Sequence, residues 1–209
     1  MVEFTSEDLS AEEVQRLRGV YGPLADAVRA LVDATIRTEV DPDTVVAATA
    51  EIEAVTARLR ARQLDGAFGV RMTREGERMP WGNAVIGLRN AIAPPLRVHK
   101  DGAGRAWADF ELGAAYEGPP GHVHGGVVAL MLDHILGEVT ADGALPRFTG
   151  TLTIRYRRAT PLGPLRAEGR LEREDGIKAW ATGRILDAEG VTAEAEGVFI
   201  TPRWARAAR

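Results

Sequence analysis

The stretch Gly121-His122-Val123-His124-Gly125-Gly126-Val127-Val128-Ala129-Leu130-Met131-Leu132-Asp133-His134-Ile135-Leu136 decides the fold. From residue 125 to 139 it predicts a helix that is apolar nearly all round. Such a helix must be wrapped by the rest of the chain. Its surroundings in sequence read as strands. Upstream, residues 96–99 and 105–112 flank Asp101-Gly102-Ala103-Gly104, a hairpin pattern. Gly118-Pro119-Pro120-Gly121 is a rigid turn leading into the helix. Downstream, residues 149–158 alternate, with Leu152, Ile154 and Tyr156 on one face and Thr151, Thr153, Arg155 and Arg157 on the other. Residues 165–173, 177–187 and 191–201 follow. Glu174-Asp175-Gly176 and Ala188-Glu189-Gly190 separate them, which predicts an antiparallel meander. An opening strand pair, one buried helix and a meander imply an α+β fold in which a sheet curls around a central helix.

The first 65 residues read as helical. Ser10 and Glu13 make a capping box, and Gly19 and Gly22-Pro23 are expected to interrupt the helix that follows. Leu24, Ala27, Val28 and Leu31 resume the helical spacing. Asp41-Pro42 starts a further helix with Val45, Ala48, Ile52, Val55 and Leu59 along one face. These stripes are expected to pack against the body of the protein. Residues 66–95 read as a connector, with loops at Met79-Pro80-Trp81-Gly82 and Pro94-Pro95. The expected organisation is a helical extension (1–65), a connector (66–95) and the sheet-and-helix domain (96–209).

Composition narrows the function classes. The chain has 209 residues, 26 Lys and Arg against 30 Asp and Glu, a formal charge of −4 and no cysteine. Disulfides, iron–sulfur clusters, thiolate zinc sites and cysteine nucleophiles are thereby excluded. The mild acidity argues against nucleic acid or an anionic membrane as partner. No apolar run approaches the roughly 18 residues of a membrane span. The acidic start, Met1 to Asp8, lacks a signal-peptide core, so a cytoplasmic location is expected.

The run from His124 through Gly125-Gly126 to Asp133 resembles the signature of hotdog-fold thioesterases of the phenylacetate-pathway type. It is similar also to the vertebrate thioesterase superfamily member proteins, which share the preceding Gly-Pro-Pro-Gly. There the resemblance continues into residues 149–162, with Tyr156, a basic pair and Pro161-Leu162, and includes residues 90–95 upstream. It covers about residues 84–202. It implies a hotdog fold and an acyl-CoA thioesterase acting on a fatty-acyl or aryl-acyl thioester. Coenzyme A then belongs to the substrate, and no metal or redox cofactor is needed. By the same resemblance Gly125 N–H holds the thioester carbonyl, with Gly126 beside it, and Asp133 attacks directly or activates water. Thr149 orients that water, His124 supports the carbonyl end, and Arg155, Arg157 and Arg158 hold the nucleotide phosphates. Arg147 and Arg203 are weaker phosphate candidates. Phenylacetate-type enzymes carry an asparagine before the signature, and none stands beside Tyr116-Glu117-Gly118 here.

Physical chemistry bears on the same residues separately. A helix N-terminus has unpaired N–H groups and about half a positive charge. A glycine there lets a carbonyl approach the backbone and its oxyanion be stabilised. Gly125-Gly126 serves equally for tight helix–sheet packing. A carboxylate in an apolar helix is costly unless it is paired or at work, so Asp133 is either a working group or one half of a bridge to arginine. Gly125 and Asp133 are eight residues apart, about 12 Å along a helix. A reacting pair must approach to about 3.5 Å. If both act on one thioester, two antiparallel central helices must supply them, so a homodimer or dimer of dimers is expected. A metal site at His122, His124 and Asp133 is disfavoured by the long spacing, and His134 reads as structural. The second reading is a non-catalytic acyl-CoA or lipid-binding protein of the same fold. A hydratase is a third, without its usual Asp/His motif.

Overall fold

The computed structural model describes residues 4–94, 96–141 and 146–208. Residues 1–3 of the acidic start and Pro95 of the expected Pro94-Pro95 loop lie outside them. Two compact units emerge, one from Val2–Asn83 and Gly87–Ala91, the other from Ala84–Ile86 and Ile92–Arg209.

The first unit contains β1 (Phe4–Glu7), α1 (Ala11–Arg37), α2 (Pro42–Arg60), β2 (Val70–Thr73) and β3 (Arg78–Met79). β1 pairs parallel with β2, and β3 pairs antiparallel with β2. The capping box forms as the residue types require. Glu13 N–H donates to Ser10 Oγ at 3.3 Å, and Ser10 N–H to Glu13 Oε2 at 2.8 Å. The expected interruption is absent, since α1 is one helix through Pro23. The proline ring presses on the carbonyl four residues earlier, and that residue is Gly19, whose backbone can yield. Val14, Met79 and Trp81 form a small core with Leu17, Tyr21 and Phe68 around it. The expected packing of the helical stripes fails for Leu24, Ala27, Val28 and Leu31 of α1, which are exposed, and for the whole of α2. Asp41 caps it, accepting from Thr44 N–H at 3.0 Å, yet α2 buries no residue.

The second unit contains β4 (His99–Lys100), β5 (Arg105–Leu112), α3 (Gly125–Thr140), β6 (Phe148–Tyr156), β7 (Gly163–Asp175), β8 (Lys178–Asp187) and β9 (Gly190–Ile200). The strands form one antiparallel sheet in the order β4-β5-β7-β8-β9-β6. The expected hairpin and meander are both present, and β6 adds to the meander by pairing with β9. α3 packs on β5, β6, β7, β8 and β9. Val128, Met131, Leu132, Ile135 and Leu136 are buried against Ala106, Ala108, Phe110, Leu165, Ile185 and Phe199.

Small residues make the seat. A Cβ added to Gly169 would lie 2.6 Å from Ile135 Cγ2, and one added to Gly183 would lie 2.9 Å from Leu136 Cδ2. The sheet therefore approaches α3 where side chains are missing. Among the described residues no helix is long and apolar enough to cross a membrane.

Candidate active site

The entry to α3 is held on several sides. His124 N–H donates to Tyr116 C=O at 2.9 Å, Val123 N–H to Thr160 C=O at 2.8 Å, and Gly121 N–H to Glu117 Oε1 at 2.6 Å. His124 is the N-cap, its Nδ1 accepting from Gly126 N–H at 3.0 Å. His122 directs its Nδ1 to Pro120 C=O, 2.8 Å away. Gly125 N–H has no hydrogen-bond partner among the described residues.

The two glycines differ. A Cβ on Gly126 would sit 3.1 Å from His124 Nδ1, so a side chain there would crowd the cap. A Cβ on Gly125 would meet only the Tyr156 ring, at 3.5–3.6 Å, an ordinary contact. Packing within the chain does not demand glycine at 125. Tyr156 covers this residue, its hydroxyl donating to Gly125 C=O at 2.8 Å.

Asp133 lies two turns further along α3 and is half-buried. No arginine, lysine or histidine pairs with it among the described residues. Instead Thr149 Oγ1 donates to Asp133 Oδ1 at 2.7 Å. A bulge makes this contact possible. Thr149 pairs with Phe199 and Thr151 with Val198, leaving Gly150 as the extra residue. Without it, Thr149 would share the outward face of Thr151 and Thr153. With it, Thr149 joins Leu152 and Ile154 on the face that meets α3. A side chain at Gly150 would clash with Ile200 Cδ1 at 2.6 Å. β6 thus carries one hydroxyl at each end, Thr149 on Asp133 and Tyr156 on Gly125.

Two of these features go beyond the plain strand alternation: the bulge at Gly150 and the Tyr156 bond to Gly125. The lone Gly150 inside a strand pattern was the signal for a bulge. Tyr156 shares the alternation of Leu152 and Ile154, which places it against α3.

His134, next to Asp133, points elsewhere. Burial pulls its imidazole below the usual histidine range, against Glu138, whose Oε1 is 3.7 Å from Nε2. The arginines separate sharply. Arg158 makes two hydrogen bonds to Asp187, one at 2.7 Å, and a third to Gly190 C=O at 3.2 Å. This pairing holds the Asp187 carboxyl below the usual aspartate range. Arg157 binds Glu194 at 2.7 Å through Nε. Arg147 binds the Thr140 carbonyl at the end of α3 and Glu174 at 2.5 Å. Arg203 lies in a C-terminal 3-10 turn. Arg155 is exposed on the outward face opposite Glu194, without an ion pair among the described residues.

The chain therefore brings Gly125 to Tyr156 and Asp133 to Thr149. It leaves Gly125 and Asp133 eight residues apart on one rod, about 12 Å. Chemically this is a helix-terminal N–H and a carboxylate with one oxygen engaged, each without a further partner among the described residues.

Comparison with known proteins adds to this geometry. Residues 120–194 match the family model described as the thioesterase superfamily. A crystal structure of a thioesterase superfamily protein is 33 % identical, with a TM-score of 0.76, covering 93 % of this chain and 98 % of that one. An acyl-coenzyme A thioesterase of Xenopus laevis, THEM4, is 32 % identical over 44 % of this chain and 42 % of its own length. The corresponding figures for Homo sapiens acyl-coenzyme A thioesterase THEM5 are 30 %, 44 % and 38 %. The chain thus spans about two fifths of the length of these curated relatives.

Proposed function

The chain belongs to the thioesterase superfamily, and from that premise we propose that it hydrolyses an acyl-CoA thioester to the free acid and coenzyme A. The observation that carries the proposal is Asp133: a carboxylate on an apolar helix, held by a threonine hydroxyl and bound to no cation among the described residues. A structural carboxylate in such surroundings would be expected to take an arginine, as Asp187 does.

Thr149 occupies Asp133 Oδ1, and Oδ2 accepts a proton from water. The water oxygen bonds to the thioester carbon as its proton passes to the carboxylate. The carbonyl oxygen becomes an oxyanion, stabilised by a Gly125 N–H at the positive end of a helix. The C–S bond then breaks, and the proton held by Asp133 goes to the departing sulfur. Because one chain separates the two groups by about 12 Å, the N–H is the partner's Gly125 in a two-fold dimer with antiparallel central helices. The open side of α3 suits such a contact, since Gly126 and Leu130 are exposed and Leu130 is apolar. Tyr156 and His124 hold the N-terminal end. Arg155 is the arginine left to meet a phosphate, because Arg157 and Arg158 are engaged by Glu194 and Asp187.

Release of coenzyme A, followed with a thiol reagent, tests this with little background because the chain has no cysteine. Wild-type protein turns over acyl-CoA, and Asp133→Ala loses about 10²-fold or more in kcat. Turnover of Asp133→Ala within a few-fold of wild type would remove Asp133 from the mechanism. Tight acyl-CoA binding without thiol release by the wild type would favour the binding-protein reading instead.

A further inference from the structure

Val45, Ala48, Ile52, Val55 and Leu59 follow one another at intervals of three, four, three and four residues. That is the 3.5-residue seam by which two helices interlock. All five are exposed, with Val45 at 44 %, Ile52 at 39 %, Val55 at 40 % and Leu59 at 52 %. A 19-residue helix with no buried residue lacks the packing that supports most protein helices.

We propose that α2 pairs antiparallel with α2 of a second copy of this chain, Ile52 lying against the partner's Val55 and Ala48 against the partner's Leu59. Charge decides both the occupant and the direction. Glu51 and Arg58 hold the same flanking position, one residue before Ile52 and one before Leu59. In an antiparallel pair such positions face each other across the seam. Glu51 then meets the partner's Arg58, and Arg58 meets the partner's Glu51. The other flank brings Thr49 to the partner's Thr56, without charge. A parallel pair would set Glu51 beside the partner's Thr56 and Arg58 beside the partner's Gln63, leaving both charges unanswered. Neither Glu51 nor Arg58 has an ion pair among the described residues. A stripe whose charges answer its own copy fits a two-fold contact, where one surface must complement itself. The pairing rests on α2 alone and stands apart from the thioesterase reading.

Cysteine cross-linking of the full chain tests it, because introduced cysteines are the only thiols. Ala48→Cys combined with Leu59→Cys should give a covalent dimer on mild oxidation. Within one chain the two sites are about 16 Å apart along the helix, so the bond must join two copies. Either single variant should stay uncross-linked, since its two copies of the thiol would be about 16 Å apart. In the double-cysteine background, Glu51→Arg alone and Arg58→Glu alone should each slow cross-linking several-fold. Exchanging both charges should restore it. Failure of the double-cysteine chain to cross-link, with helix content unchanged by circular dichroism, would overturn the proposal. So would single variants that cross-link as readily, or an exchange no better than the single reversals.

Discussion

α2 and α3 are both helices with apolar stripes, and they break the ordinary rule of burial in opposite ways. α3 is sunk in its sheet, and its exception is a carboxylate among apolar neighbours. α2 buries nothing, and its exceptions are apolar residues in solvent. A polar group kept where it is costly points to chemistry. Apolar groups kept where they are unsatisfied point to a partner. The same period of residues supports two unlike roles, and what decides is which residue violates its surroundings.

Matched truncations sharpen that contrast first. Leu136→Ala in α3 should cost about 2–5 kcal/mol of stability, whereas Ile52→Ala in α2 should cost well under that in dilute protein. Chemical denaturation measures both. Equal losses would mean that α2 is as well packed as α3.

Thr149 provides the next test, at the level of the carboxylate. A hydrogen bond to a charged group contributes about 1.5–3 kcal/mol. Thr149→Val should therefore lower kcat roughly tenfold or more, and Thr149→Ser should restore most of it. Equal rates for all three would make the Thr149–Asp133 bond incidental to catalysis.

The two glycines at the tip of α3 separate capping from chemistry. Gly126→Ala crowds the His124 cap and should cost about 1 kcal/mol in thermal unfolding. Gly125→Ala finds room against Tyr156 and should fold normally, so its effect should fall on turnover. Reversal of that pattern would reassign Gly125 to packing.

The smallest effect is one of pH. The Arg158 hydrogen bonds hold Asp187 below its ordinary value in the folded state. The pair's contribution is therefore full above the usual aspartate range. It fades as pH falls through that range toward the depressed value. Asp187→Asn should flatten this part of the acid unfolding curve. An unchanged curve would remove the pair from the acid response.

Much of this was legible in the residues. The apolar run of α3, the meander and the strand alternation announce themselves through local period, and Asp133 stands out because charge is rare in such a run. What escaped depends on distant or irregular contacts. β1 and β2 are four-residue strands that find each other across the whole helical segment. Arg157 and Arg158 appear free in sequence, yet their partners lie 37 and 29 residues away. Residues 151–157 alternate so regularly that the step at Gly150 passes unnoticed, although it alone turns Thr149 toward Asp133. Pro23 looks like a break until Gly19 is seen four residues before it.

The central claim is that one chain's Asp133 works with another's helix tip. Co-expression of Asp133→Ala with Gly125→Val, each nearly inactive alone, tests this most directly. In a two-fold dimer of the mixed chains, one of the two sites regains both native groups. Equal mixing then predicts a return to about a quarter of wild-type turnover. Mixed dimers that form yet stay as inactive as their parents would contradict a site shared between chains.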